Sequence, residues 1–460
     1  MSPTFRSLHV RNYRVYAIGS LISNTGTWMQ TTAQAWLVLV LTGSGSALGI
    51  TIALQLLPTL LLSPLGGVLA DRFSKRTVLR IMQVMMAVPA AVLGGLAVTG
   101  VVATWHVYVL AFVFGIGRAL EAPARQSFVP EMVGRENLGN AVALNSASFN
   151  AGRLIGPAVA GLLIAALGGG AAGTGWVILV NAVSYGAAFV ALSMLDPDRL
   201  TPTPVIAPGA GAIRDGFRYL RSRPDLVLVM WCVFFLGGAG MNFQITSALM
   251  ATDEFGLGAK EYGVLGSVLA MGSLAGALLA ARRATPRLRF IVLSGLAFAV
   301  VQVASGLVPT YYSYMAVLPF VGLSILTMAT TANTMIQMTS TPAMRGRMAA
   351  LYVMVFIGSV PLAAPVIGWV AENLGARTAL VGAGLFAGLG IAVVTAWYVR
   401  QTDGETDHLR REAANLRSIY ARRTHLRGRP RDRGRLRLPQ RLREHRAMGP
   451  RDDRDASPVR

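Results

Sequence analysis

The residue whose chemistry is hardest to explain by packing is Arg153. It interrupts an otherwise uncharged run over 138–167. A charge at the middle of such a run, if it lies in a bilayer, costs about 3 kcal/mol or more. Asn145, Phe149, Asn150 and Arg153 recur at three- and four-residue spacing and so share a broad helix face. Two readings stay open for Arg153. It faces an internal cavity and meets an anionic or strongly polar solute, or it pairs structurally with Glu121 or a backbone carbonyl. Glu121 itself sits in Arg118-Ala-Leu-Glu121-Ala-Pro123-Ala-Arg125. Arg118 and Arg125 fall three before and four after it, the spacing of an intrahelical ion network. Pro123 is expected to distort the second pairing. Glu121 is either a carboxylate that carries a proton near a cavity or one member of a structural ion pair.

Other chemistries find no support. The five histidines are scattered and Cys232 is the single cysteine, so neither a disulfide framework nor a thiolate metal cluster is expected. There is no paired intramembrane carboxylate set, and no phosphate-binding loop of the Gly-x-x-x-x-Gly-Lys-Ser/Thr type that would drive pumping with ATP. The chain is not expected to be an enzyme, and no metal or cofactor is expected.

The elements that must position these residues follow from composition. Apolar residues make up 53% of the 460 positions and charged ones 14%, whereas soluble domains run to about 25% charged. Twelve stretches are long and apolar enough for a membrane-spanning helix: 15–41, 46–70, 78–99, 101–123, 138–167, 174–195, 225–250, 261–281, 288–307, 311–334, 348–372 and 376–399. Several have no polar stripe at all, as a soluble amphipathic helix would. Prolines inside these runs are tolerable where neighbouring helices satisfy the freed backbone.

The net charge is +21. Between the apolar runs, 21 Lys and Arg fall on one side, including those of 118–135, read as a connection; Lys260 and Arg377 fall on the other. That asymmetry places both termini in the cytoplasm of a multi-pass cell-membrane protein. The first apolar run is too long for a cleavable signal peptide and holds Asn24, Gln30 and Gln34. Residues 1–195 form one predicted six-helix half and 225–400 a second. Between them, 196–224 is a cytoplasmic linker with turn chemistry and a short basic amphipathic helix near Ile213–Leu220. The tail 401–460 holds 17 Arg and no Lys and is expected to be disordered. Without any nucleic-acid module, nucleic-acid binding is not expected.

The halves carry a repeat. Pro130-Glu-Met132-Val-Gly134-Arg135 recurs as Pro342-Ala-Met344-Arg-Gly346-Arg347, each between a fourth-type and a fifth-type helix. Pro157 and Pro365 then follow at distances that differ by about one helical turn, so they share a face.

The loop after the second run reads Gly67-Val-Leu69-Ala70-Asp71-Arg72-Phe73-Ser74-Lys75-Arg76. It resembles the signature loop of the major facilitator superfamily, Gly-x-Leu-x-Asp-Arg-x-Gly-Arg-Lys, with Ser74 at a glycine position. The resemblance implies that Asp71 latches the halves in the outward-facing state and that Lys75 and Arg76 hold the loop at the membrane surface. Gly152-Arg153-Leu-Ile-Gly156-Pro157-Ala-Val-Ala160-Gly161 resembles the antiporter motif of the drug-efflux branch, with Ala160 replacing one glycine. The segment from 118 to this motif resembles macrolide-type efflux pumps and the enterobactin exporter family. The arginine usual in helix four of the superfamily is absent.

What the resemblance implies is an all-α integral membrane protein of twelve transmembrane helices in two pseudo-symmetric bundles. It implies a secondary exporter of a small molecule, drug or siderophore-like, in exchange for protons. Helices one and seven line the cavity in that superfamily, so Gln30, Gln34, Asn242 and Gln244 join Arg153, Phe149 and Asn150 as substrate-binding candidates. Glu121, Arg118 and Arg125 are the coupling candidates. The expected partners are the substrate, protons and the lipid bilayer, with the chain a monomer. The competing expectation is a non-transporting receptor or scaffold that docks partners through linker and tail.

Overall fold

The computed structural model describes residues 3–201, 212–282, 286–342 and 344–425. Among these there is no strand. Six long helices come first: α1 (Arg11–Thr42), α2 (Gly45–Arg72), α3 (Lys75–Val98), α4 (Thr104–Gly134), α5 (Glu136–Ala166) and α6 (Ala171–Ser193). The short α7 (Ala212–Arg221) follows. Then come α8 (Pro224–Glu254), α9 (Ala259–Ala281), α10 (Leu288–Leu307), α11 (Tyr311–Thr339), α12 (Arg345–Leu374) and α13, which begins at Ala376. Eleven of these are long and apolar enough to cross a membrane. The expected first span, α1, has the length but not the apolarity. Its Asn12, Ser23, Gln30, Thr32 and Gln34 are buried among other helices instead of facing lipid.

Two expectations from sequence need correction. Residues 118–135 are not a connecting loop. α4 runs as helix through Pro123 and Pro130, and the chain turns only at Gly134, whose φ of 68° lies in the left-handed region. A 31-residue helix is about 46 Å long and exceeds a hydrocarbon core of about 30 Å. Its last turns pack into the basic-end core through Phe128, Met132 and Val133, with the charged Glu131 buried beside them. The tail differs too. Helix α13 continues to His425 where disorder was expected. Leu409, Ala413, Leu416 and Tyr420 recur at helical spacing there, and Asp407 precedes Arg411 by four. Residues 426–460 lie outside the described residues.

The helix starts and ends alternate, so one end of the bundle, here the basic end, holds the starts of α1 and α3 and the ends of α2, α4 and α6. Packing differs between the ends. At the far end one continuous apolar core runs through both sets of helices, from Trp36, Leu48 and Ile164 to Tyr262, Ala364 and Leu380. At the basic end there are separate cores. Tyr13, Leu79, Phe128 and Leu192 belong to the first set, and Leu228, Met335, Met348 and Tyr352 to the second. The helices are thus sealed together at the far end and packed separately at the basic end.

Two helix crossings make the seal. α5 meets α9 where Gly161 and Gly263 face each other; a Cβ on Gly161 would lie 3.1 Å from the Gly263 Cα. α2 meets α12 where Gly45 faces Gly368; a Cβ on Gly45 would lie 2.7 Å from the Gly368 carbonyl oxygen. Small residues at such points let backbones approach. The rings of Trp36 and Tyr262 stack across the same end, 6.2 Å between centroids.

Candidate functional site

The antiporter-like segment of α5 sits where three helices converge. Gly152 packs on the Asn24–Thr25 backbone of α1, and Gly156 on Trp28 and Met29. One turn on, the Pro157 carbonyl and Gly161 face α9. The proline disturbs the local ladder of backbone bonds, and the Ala158 N–H donates to Ser267 Oγ of α9 at 3.1 Å. Pro365 holds the equivalent position on α12, with its Cα 3.0 Å from a Cβ built on Gly49 of α2. Both prolines therefore mark a crossing between the two sets of helices.

Arg153 is not paired with Glu121. It has no ion-pair partner among the described residues. Its guanidinium lies over the Trp28 ring, 5.7 Å from the centroid, and Phe149 meets the same indole edge-on at 5.7 Å. A guanidinium on an aromatic face keeps its in-plane donors free for another group. Asn150 is partly exposed on the same helix, and its amide donates to Ser146 O.

Glu121 pairs with Arg125 at 3.3 Å, and Pro123 does not prevent it. A proline lacks only its own N–H and constrains the turn before it, so side chains at i and i+4 still meet. Arg125 also donates to Asn24 Oδ1 at 3.3 Å, and Asn24 donates to Ser148 Oγ at 3.3 Å. A polar chain thus runs from α4 through α1 to α5 and ends at Ser148, five residues before Arg153. Arg118 is half-buried about one turn before Glu121 on α4.

The polar candidates on α1 and α8 divide. Gln30 is buried and accepts a 2.5 Å bond from Asn181 Nδ2 of α6, so it ties two helices together. Gln34 is buried nearby. On α8 the regular helix breaks after Gly240, at Met241 and Asn242, and ends in a wider turn over Met250–Glu254. Asn242 is buried at the break and donates to Gly238 O at 2.6 Å, while its Oδ1 makes no hydrogen bond among the described residues. Gln244 is half-buried just beyond. Broken helices with free polar groups are where transporters bind solutes and ions. Gly237-Gly238-Ala-Gly240 carried the sequence signal for this break.

Of the signature loop, Gly67 and Asp71 fall in the last turns of α2, where their side chains lie outside the described residues. Arg72 is exposed at the helix end. Ser74 has φ −54°, a conformation that needs no glycine. Lys75 opens α3. It is buried and paired with the buried Glu131 of α4. Arg76 donates to the Leu192 and Ser193 carbonyls at 2.8 and 2.6 Å and so caps the end of α6. Removing one partner of a buried pair costs about 3–5 kcal/mol. Lys75→Met is therefore expected to lower the melting temperature and the yield of folded protein, and Lys75→Met with Glu131→Gln to recover much of the loss. Thermal unfolding of the purified single and double variants checks it.

A contact at the far end carries no local sequence signal. Glu372, near the end of α12, accepts from Ser44 Oγ at 2.7 Å and from the Ser46 N–H at 2.8 Å. These groups open α2, so a carboxylate from one set of helices caps the first turn of a helix in the other. The short linker helix α7 docks at the basic end of the second set, where Asp215 pairs with Arg347 at 3.0 Å.

This architecture, a bundle of long apolar helices with polar groups along its interior, is that of a multi-pass membrane protein. The sequence profile of the transmembrane secretion effectors, a family of the major facilitator superfamily, matches residues 2–423, and the chain belongs to that family. It is similar to the multidrug efflux pump Tap of Mycolicibacterium fortuitum, 27% identical over 84% of this chain and 95% of that one. It is similar also to the enterobactin exporter EntS of Shigella boydii, 25% identical over 85% of this chain and 90% of that one. Among solved structures, the nucleoside transporter NupG superposes with a TM-score of 0.65 at 13% identity, covering 84% of this chain and 98% of that one. A bacterial homologue of the lysosomal transporter Spinster, inward-facing and unoccupied, does so at 0.67 and 12%, covering 87% and 98%. The last two likenesses concern the fold.

Proposed function

We propose that the protein exports a small molecule, a drug or a siderophore-like metabolite, across the cell membrane in exchange for protons. The observation that carries this reading is the α5 segment. Its Gly152–Gly161 stretch touches α1 at one end and α9 of the other helix set at the next turn, and Arg153, without an ion pair among the described residues, lies over Trp28 at the α1 contact. In this reading twelve helices cross the bilayer as halves 1–195 and 225–400, joined by the linker 196–224, with both termini cytoplasmic. The far end is then the outer face, closed here, and the halves part at the α2–α12 and α5–α9 crossings when that face opens. Arg153, Phe149 and Asn150, with Gln34, Asn242 and Gln244, contact substrate. Glu121 carries the proton, and the Arg125–Asn24–Ser148 chain links its charge to the substrate face. Asp71 is the latch of the opposite, outward-facing state. The chain acts as a monomer, and the tail 401–460 is a solvated cytoplasmic extension.

The similarity to a multidrug pump and to an enterobactin exporter supports export over uptake, and Arg153 with few cavity carboxylates favours neutral or anionic solutes. The test is a strain lacking the protein, profiled against antibiotics and for secreted metabolites. Greater drug sensitivity or loss of a secreted metabolite is the expected result. An unchanged profile in both assays contradicts the proposal.

Glu372 is the outer counterpart of the latch. Glu372→Gln removes a charge from the first turn of α2 worth about 1 kcal/mol, a roughly fivefold shift toward the outward-open state. Spin labels at Thr42 and Leu257, in protein carrying Cys232→Ala, are expected to show a larger population at long distance in the variant.

A further inference from the structure

Inside the first set of helices, at the basic end, a cavity of about 30 Å³ lies between α1, α3, α4 and α6. Its wall includes Tyr16, Ser20, Gln83, Glu121 and Arg125. Two polar atoms in that wall, Tyr16 Oη and Gln83 Oε1, are buried and make no hydrogen bond among the described residues. Each such group costs about 1–3 kcal/mol unless something satisfies it. Two of them in one small polar cavity, beside the Glu121–Arg125 pair, call for a shared partner. A water needs about 10–15 Å³ of such space and two or more polar neighbours. The cavity supplies both.

We propose that this cavity is the proton-binding site: ordered water held by Gln83 and Tyr16 relays a proton to Glu121. The inference rests on the proton-exchange reading above and adds the site that performs it. An O–H bond of a hydrated proton breaks and an O–H bond forms on a Glu121 carboxyl oxygen, leaving water behind. The charge of Arg125 is then unbalanced and falls to Asn24 Oδ1, which it already contacts. The charged and titratable groups that face Glu121 are Arg125 from its own helix, Tyr16 from α1 and Tyr185 from α6. From α3 the neutral Gln83 faces the same cavity. The site stands apart from the Trp28–Phe149 surface under Arg153, so proton and substrate need not compete for one position.

The test needs no substrate. Infrared difference spectra of the purified protein, recorded across pH, are expected to show a protonated carboxyl band absent from Glu121→Gln. A water O–H band that shifts in ¹⁸O-labelled water is expected in the wild type and not in Gln83→Leu. In Gln83→Leu and in Tyr16→Phe, the Glu121 carboxyl should exchange its proton for deuterium at least ~10-fold more slowly, because the relay is cut. A band that persists in Glu121→Gln overturns the proposal. So does wild-type exchange in both relay variants. If the band is lost in Glu121→Gln while export proceeds at the wild-type rate, the site stands and proton exchange as the driving step falls.

Discussion

Replacing Gly161 with valine is expected to abolish transport while leaving the protein in the membrane. The added methyl groups have no room, because Gly161 faces the Ala259 carbonyl and the Gly263 Cα across the α5–α9 crossing. Overpacking of this kind costs about 1–3 kcal/mol. The cost falls only on the state with the far end closed, since that is where the two helices touch. A cost of that size shifts the balance between the two states by roughly 5- to 150-fold. The halves should then rest open at the far end, visible as a longer distance between labels at Thr42 and Leu257. Gly161→Ala adds one methyl and should give a smaller loss in the same direction. A transporting Gly161→Val variant with an unchanged label distance would show that the crossing is not a moving part.

The second large effect concerns Arg153. Arg153→Met keeps much of the side-chain length and removes the charge. Export is expected to fall at least ~10-fold, as for loss of a charged contact worth 1.4 kcal/mol or more. Stability should hold or rise, because a charge within the bilayer costs about 3 kcal/mol. Those two readouts separate a substrate contact from a structural one: a purely structural arginine would lower the melting temperature when removed. Arg153→Lys should restore little, since an ammonium does not lie flat on Trp28 with in-plane donors left over. Wild-type export by Arg153→Met would remove the residue from the site.

Much of the fold was legible because bilayer physics writes long apolar runs and one-sided basic loops into a sequence. The misreadings have physical causes. The charges and prolines in the last turns of α4 look like a loop; they are helix, packed against α1, α3 and α6. α1 was counted with the apolar runs, yet Gln30 and its neighbours are polar because the helix is wrapped by others. The pairing of Lys75 was not legible, since nothing local to it points to Glu131, 56 residues away. The glycines and proline of α5 were visible as a motif, but not that its two ends serve different neighbours. The Glu372 cap was beyond sequence reasoning, because Ser44 and Glu372 meet only when both crossings have formed. Tyr16 and Gln83 read as ordinary helix residues until the cavity between them is seen.

The central claim is outward movement of a small molecule driven by inward movement of protons. It is tested most directly in everted vesicles holding an imposed proton gradient reported by a quenched acidity dye. Candidate siderophores and antibiotics are added one at a time. At least one compound is expected to release protons from wild-type vesicles, with no release from vesicles carrying Arg153→Met or Glu121→Gln. Accumulation of that compound in wild-type vesicles with no proton release, or at an equal rate after the gradient is collapsed, would contradict it.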